Sequence, residues 1–522
     1  MAINGRTVLR IGVVAIGLAA LGWNHFHQRA TPPRDAAPAA SAGSVTPARP
    51  PTWRLGSLTL TPCQLGQPNS GLSTSAWCAP FEVPENRADP RSRKIGLKLA
   101  VIRSSAQVAS KDMLVLLAGG PGQAATESWP GVSGALQPLT AHRHVLLLDQ
   151  RGTGGSNPLT CKGAGDAGGE TAGDADASPQ KQREEIAQCL GQIADKADPR
   201  YYTTTIAVQD LEDVRHALGA PSLDLVGVSY GTRMAQQYAM RHPDAVRSLV
   251  LDGVVPNTLV LGEDFARNLD DALKAQFARC TADEACRKRF NDPYQTLYQL
   301  RDALRANPHT VSFRDPQTYQ SVKRVLSEYS LASVVRMFAY SPLTAALLPV
   351  SIDAAAHGDV GPLLGQAKLL SGDLSDTMNG GMQMSVICSE DADLLSARPQ
   401  DAHTMLGTRM IDSLQTVCSV WPRGTRPDDF HQPLRTDKPA LLLSGEYDPV
   451  TPPRYGDEVA RWLAQSRHLV LRGQGHNVIN AGCAPRVVKH FIEDLDPKAL
   501  EVKCLDRLQP TPMFIDFNGA TP

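Results

Sequence analysis

Short, nearly unbroken apolar runs recur along the chain: MLVLLAGG from Met113, HVLLLDQRG from His144, LDLVGVS from Leu223, SLVLDGVV from Ser248, ALLLSGEYD from Ala440 and HLVLRGQGH from His468. Runs of this length without alternation suit strands buried on both faces of a parallel sheet. Helical patterns lie between several of them, such as TTTIAVQDLEDVRHALG and GTRMAQQYAMRHP, the second stopped by Pro243. This alternation predicts an α/β fold with a mostly parallel, doubly wound sheet. Upstream, WRLGSLTLTPC and KIGLKLAVIRS alternate only in part and read as exposed edge strands. Between residues 256 and 438 the strand rhythm lapses, and segments such as NLDDALKAQFARC and PYQTLYQLRDALRAN take over. That predicts a mainly helical cap at 256–438, inserted between two parts of the core at 53–255 and 439–522.

The N-terminus changes the picture of where this fold works. Arg6 and Arg10 precede an apolar run from Ile11 to Trp23, short for a span of about 20 residues. Residues 1–30 therefore read as a signal peptide or an N-terminal membrane anchor. Ala20-Leu21-Gly22 and Ala40-Ser41-Ala42 both offer small-residue cleavage sites, so cleaved and tethered forms stay open. An Ala/Pro-rich linker follows at 31–52. The ten cysteines fall as five neighbouring couples: Cys63 with Cys78, Cys161 with Cys189, Cys280 with Cys286, Cys388 with Cys418, and Cys483 with Cys504. An even count in an exported chain suggests disulfides, and pairing of neighbours is the working hypothesis. The expected compartment is periplasmic or extracellular.

Charge and spacing exclude several classes of function. With 52 basic against 53 acidic residues, and no Lys/Arg block to track phosphates, nucleic acid is not an expected partner. No Cys/His cluster has metal spacing, so no metal and no cofactor is expected. DQRGTGGS from Asp149 lacks the Lys and Ser/Thr of a phosphate-binding loop, and its Asp149 and Arg151 are expected to hold a neighbouring loop by hydrogen bonds and a charge pair. GAGDAGGETAGDADASPQ, between Cys161 and Cys189, reads as a surface loop.

The candidate chemistry collects at strand ends. Ser229 sits in GVSYG, directly after an apolar run and directly before a helical one, the context of a nucleophile elbow. A serine hydroxyl needs a base, and the base needs an orienting acid. In this fold they should follow in the order Ser, acid, His, and Asp448 beyond ALLLS and His476 beyond HLVL do so. A tetrahedral oxyanion also needs two N–H donors. Tyr230, next to the serine, supplies one, and Gly119 or Gly120 of LLAGGPGQ the other.

Together AGGPGQ from Ala118, DQRGTGGS, GVSYGTRMA from Gly227, SVICSED from Ser385, GEYDPVTP from Gly445 and GQGHN from Gly473 resemble the α/β-hydrolase superfamily. Within it, the chain is similar to the proline iminopeptidase and tripeptidyl aminopeptidase family of serine exopeptidases. The resemblance runs from about residue 50 to the end. One position departs: where proline iminopeptidases usually carry His before the two glycines, this chain has Ala118, which points to the tripeptidyl branch. The resemblance implies that Glu390, with Asp391 beside it, binds the free α-amino group of a substrate. It further implies an aminopeptidase acting on short peptides. An esterase or amidase on small substrates, and a catalytically silent binding protein, are the alternatives. Oligomeric state is not legible.

Overall fold

A computed structural model describes residues 51–68, 70–161, 178–375 and 377–519. The N-terminal apolar segment, the linker as far as residue 50 and the Gly/Ala/Asp-rich stretch 162–177 lie outside them. The strands are β1 (Trp53–Leu55), β2 (Leu58–Gly66), β3 (Ser73–Pro84), β4 (Lys94–Ile102), β5 (Met113–Leu117), β6 (Val145–Leu148), β7 (Leu223–Val228), β8 (Val246–Asp252), β9 (His309–Arg314), β10 (Ser321–Leu326), β11 (Ala440–Gly445) and β12 (Ser466–Leu471). One ten-stranded sheet has the order β1-β2-β3-β4-β6-β5-β7-β8-β11-β12. From β6 through β12 neighbours run parallel. The first four strands, and β4 against β6, pair antiparallel.

The apolar runs become central strands because helices cover both sheet faces. β5, β6 and β11 are buried at every position. On one face Leu211 and Tyr238, from helices Thr204–Leu218 and Tyr230–Arg241, pack on Val115 and Leu225. On the other, Trp129 and Phe491, from helices Ala125–Leu136 and Ala484–Asp494, pack on Leu116 and Val226. Burying such aromatic side chains contributes about 1.5–3 kcal/mol each.

Three strand expectations change. β12 was expected to be buried on both faces, yet it closes the sheet edge and is half-exposed, with Val470 48 % accessible. β4 is no edge, because β3 and β6 flank it. The insertion, expected to be helical, also carries the β9–β10 hairpin.

Nor is the insertion one body. Phe277, Phe338, Leu348 and Leu363 belong to a core of its own within residues 266–410. By contrast Met382, Ile387, Trp421 and Leu434 join the main core beneath the sheet. The ten cysteines form five bridges, Cys63–Cys78, Cys161–Cys189, Cys280–Cys286, Cys388–Cys418 and Cys483–Cys504, each between sequence neighbours. No helix among the described residues is long and apolar enough to cross a membrane.

Candidate active site

β7 ends at Val228, and Ser229 turns the chain into helix Tyr230–Arg241 with φ 54° and ψ −124°. A non-glycine residue at positive φ is strained, and strain of this kind gathers at functional sites. The glycines on either side have a spatial reason. A Cβ on Gly231 would stand 2.1 Å from the Leu117 carbonyl oxygen, and one on Gly227 would stand 2.5 Å from that of Gly231. Only glycine lets the helix start this close to the ends of β5 and β7.

The loops after β11 and β12 bring Asp448 and His476 to this serine. His476 Nε2 lies 3.0 Å from Ser229 Oγ, and His476 Nδ1 lies 2.8 Å from Asp448 Oδ2. Asp448 is itself held: its Oδ1 accepts the N–H groups of Val450 and Thr451 at 2.8 Å, and its Oδ2 accepts the Thr451 hydroxyl at 2.8 Å. Burial acts to raise its pKa, but the charge and hydrogen bond of His476 and these N–H donors outweigh it, leaving the carboxyl below its ordinary value. The His476 N–H donates to the Tyr340 carbonyl at 2.8 Å, and the Tyr340 ring stands edge-on to the imidazole at 5.3 Å. The insertion thus fixes the back of the histidine.

Sequence reasoning did not single out Asp252, the last residue of β8. Its carboxylate accepts the N–H groups of Val478 and Ile479 at 2.9 Å, while its carbonyl accepts the Ser229 N–H at 2.8 Å. One residue therefore ties the serine turn to the histidine loop. Burial pushes its pKa up to about 6, with the N–H bonds and His476 acting the other way. The signal was available: an aspartate closing the run SLVLD, at the same end of the sheet as Ser229.

Gly119 and Gly120 follow β5 beside the serine. A Cβ on Gly119 would lie 3.2 Å from Ser229 Cβ, and Gly120 has φ 104°. Tyr230 opens its helix, so its N–H has no carbonyl within that helix to bond. Asp149 secures the loop from behind, accepting the Thr126 N–H and hydroxyl at 2.8 and 2.9 Å and the Gly155 N–H at 3.0 Å. Arg151 acts elsewhere. Its charge pair is with Asp210 at 2.6 Å, and it donates to the carbonyls of Glu85 and Tyr201.

A cavity of about 160 Å³ opens on Ser229, His476 and Gly120, walled on the insertion side by Leu261, Phe265, Tyr340, Ile387 and Met410. Arg336, also unforeseen, lies in this wall with its guanidinium 4.7 Å from the Phe265 ring centre. Its signal was a lone arginine in the apolar stripe SLASVVRMFA.

The structure does not bring Glu390 or Asp391 to this cavity, and this corrects the expectation that they face the cleft. Both are fully buried. Glu390 accepts the Thr204 N–H at 2.5 Å and the Thr204 hydroxyl at 2.9 Å; Asp391 pairs with Arg233 at 2.9 Å. Burial pushes the Glu390 pKa up to about 8, helped by the charge of Asp391 and opposed by Thr204 and Arg233. SVICSED forms the last turns of helix Gly380–Glu390 and its cap Asp391, all of them buried, so its acids meet protein and not solvent.

Comparison with known proteins agrees with this architecture. Residues 112–353 match the family described as "alpha/beta hydrolase fold", and residues 403–504 match "TAP-like protein". "Serine protease Hip1" of Mycobacterium tuberculosis is 27 % identical over 461 residues, 81 % of this chain and 85 % of that protein. "Tripeptidyl aminopeptidase" of Streptomyces lividans is 30 % identical over 190 residues, 34 % of this chain and 35 % of that protein. A solved proline iminopeptidase of Mycobacterium smegmatis superposes with a TM-score of 0.39 at 16 % identity, covering 80 % of this chain and 98 % of that one. The chain has the α/β-hydrolase fold and is a serine hydrolase, and its C-terminal part is similar to the TAP-like proteins.

Proposed function

We propose that the protein is an exported serine peptidase that releases short peptides from free N-termini through an acyl-enzyme on Ser229. The observation that carries the chemistry is the hydrogen-bonded chain from Ser229 through His476 to Asp448, at the mouth of a covered cavity. Ser229 Oγ attacks the scissile carbonyl as its proton passes to His476 Nε2. Asp448 keeps the Nδ1–H of His476 pointed away and offsets the charge of the imidazolium. The N–H of Tyr230 and an N–H of the 119/120 loop hold the oxyanion. His476 then protonates the leaving amine, and water repeats the sequence on the acyl-enzyme. Five disulfides support an oxidising compartment.

The peptide substrate is supported by similarity to the protease and aminopeptidase relatives. A second reading, an esterase or amidase for small apolar substrates, has its own observation: among the described residues no carboxylate lines the cavity, whereas apolar side chains and Arg336 do. A panel of chromogenic mono-, di- and tripeptide amides, with free and acetylated N-termini, beside a simple ester, separates the two. The peptidase reading expects free-amino peptides to be turned over fastest, and turnover of the ester alone rejects it. Ser229→Ala should lower kcat by about 10⁴-fold or more on every accepted substrate. Robust labelling of Ser229 by a fluorophosphonate, lost in that variant, excludes a silent scaffold.

A further inference from the structure

Glu390 is a buried acid that the chemistry above does not use, and its surroundings give it a task. It ends helix Gly380–Glu390, whose Gln383 and Ile387 face the cavity. Its carboxyl stands at the N-terminus of helix Thr204–Leu218 and takes two hydrogen bonds from Thr204. The Thr204 hydroxyl is in turn 2.5 Å from the Tyr230 phenol oxygen, which also accepts from Gln150 Nε2 at 3.1 Å. The bonds form one chain: Gln150 donates to Tyr230, the Tyr230 and Thr204 hydroxyls share a bond, and Thr204 bonds the Glu390 carboxyl. This chain crosses from the insertion to the first residue after the serine, the residue whose N–H faces the oxyanion in the reading above.

We propose that Glu390 is a positioning residue that holds Tyr230 through the Thr204 hydroxyl, and so fixes the oxyanion donor. The inference rests on the assignment of Ser229 as nucleophile and Tyr230 N–H as donor. It differs from a substrate-binding role in a measurable way. A positioning residue acts on the transition state of every substrate, whereas an amino-group anchor acts only on substrates that carry a free amine. Neighbouring Asp391, bound to Arg233 on the helix that begins at Tyr230, braces the same contact.

The test compares Glu390→Ala, Glu390→Gln, Thr204→Val and Thr204→Ser on a free-amino peptide amide, its acetylated form and an ester, with the rate of fluorophosphonate labelling as a fourth measurement. Removing one oxyanion donor costs about 100- to 1000-fold, so a displaced donor should cost about 10- to 100-fold. Glu390→Ala and Thr204→Val should lose that factor in kcat and in labelling rate on all accepted substrates, with KM moved less than about threefold. Glu390→Gln offers the Thr204 N–H an acceptor and the Thr204 hydroxyl a donor, as the protonated carboxyl can, and Thr204→Ser keeps the hydroxyl. Both should recover most of the loss. The Thr204 pair carries the test if Glu390→Ala fails to fold. A loss confined to the free-amino substrate and expressed in KM overturns the proposal, as does full activity of Thr204→Val. Failure of wild-type Ser229 to react with the phosphonate would instead reject the nucleophile assignment beneath it.

Discussion

Distances alone do not make a reactive serine. The protein holds a second Ser–His–Asp chain: His468 Nε2 is 2.9 Å from Ser444 Oγ, and His468 Nδ1 is 2.8 Å from Asp457 Oδ1. Ser444 differs from Ser229 in everything else. It lies within β11, fully buried, and its acid Asp457 is largely exposed. Ser229 instead stands at a helix start beside a glycine loop and a cavity. Ser444→Ala should therefore leave kcat/KM within about twofold, against the collapse expected for Ser229→Ala on the same chromogenic substrate. Glu390 makes a second prediction at this scale. Its carboxyl titrates near 8 in the fold against an ordinary 4.5, so between those values the folded state holds a proton that the unfolded chain has lost. Stability from this group is full below 4.5 and falls as pH rises towards 8. Glutamine has no proton to lose, so the melting temperature of Glu390→Gln relative to wild type should climb from pH 5 to pH 8. Parallel curves would show that Glu390 is ionised throughout.

At the scale of elements, the site is made where strand ends converge, and glycines let them converge. A Cβ on Gly445 would stand 1.8 Å from the Gly475 carbonyl oxygen, the first at the end of β11 that leads to the acid and the second on the histidine's loop. Gly445→Ala should drive these loops apart and lower kcat by about 100-fold, since a misplacement near 1 Å has that effect. Unchanged kcat in a folded variant would reject this. β7 and β11 were legible because burial on both faces leaves an unbroken apolar run, while β12 carries a similar run although it is a half-exposed edge; Ser229, Asp448 and His476 lie at or shortly beyond the ends of these three strands. β3 escaped notice because Pro80 and Pro84 argue against a strand. Its register with β2 ends at Thr61 opposite Cys78, so neither proline interrupts that ladder. β9 and β10 escaped because a mostly exposed hairpin leaves no apolar face to read. Glu390 was misplaced for a related reason: SVICSED resembles a binding segment in its residues, and only packing shows that the helix is buried on all sides.

For the whole molecule, a linear sequence pattern separates core from insertion but cannot tell which inserted residues return to the core. Met382, Ile387 and Trp421 do return, so the cavity wall is partly continuous with the main hydrophobic interior. The remainder of the insertion is tied down from the other end of the chain. After the Cys483–Cys504 bridge, Pro510 packs so closely on Gly473, three residues before His476, that a Cβ there would meet it at 2.4 Å. The chain then crosses to the insertion. Arg279 donates to the Thr511 carbonyl at 2.6 Å, the Phe514 N–H donates to the Ala346 carbonyl at 3.0 Å, and Met513 is buried with Cys280, Cys286 and Val350. Two hydrogen bonds at about 1 kcal/mol each and one buried methionine at about 2 kcal/mol make this strap worth about 3–5 kcal/mol of local stability. Ending the chain at Gln509 should therefore speed amide exchange in 279–290 and 342–356 by about 100-fold or more, with the strands of the sheet little changed. Because the His476 N–H bonds to Tyr340 on the same insertion, kcat should fall as well. Wild-type exchange in those segments after truncation would show that the insertion keeps its place without the strap.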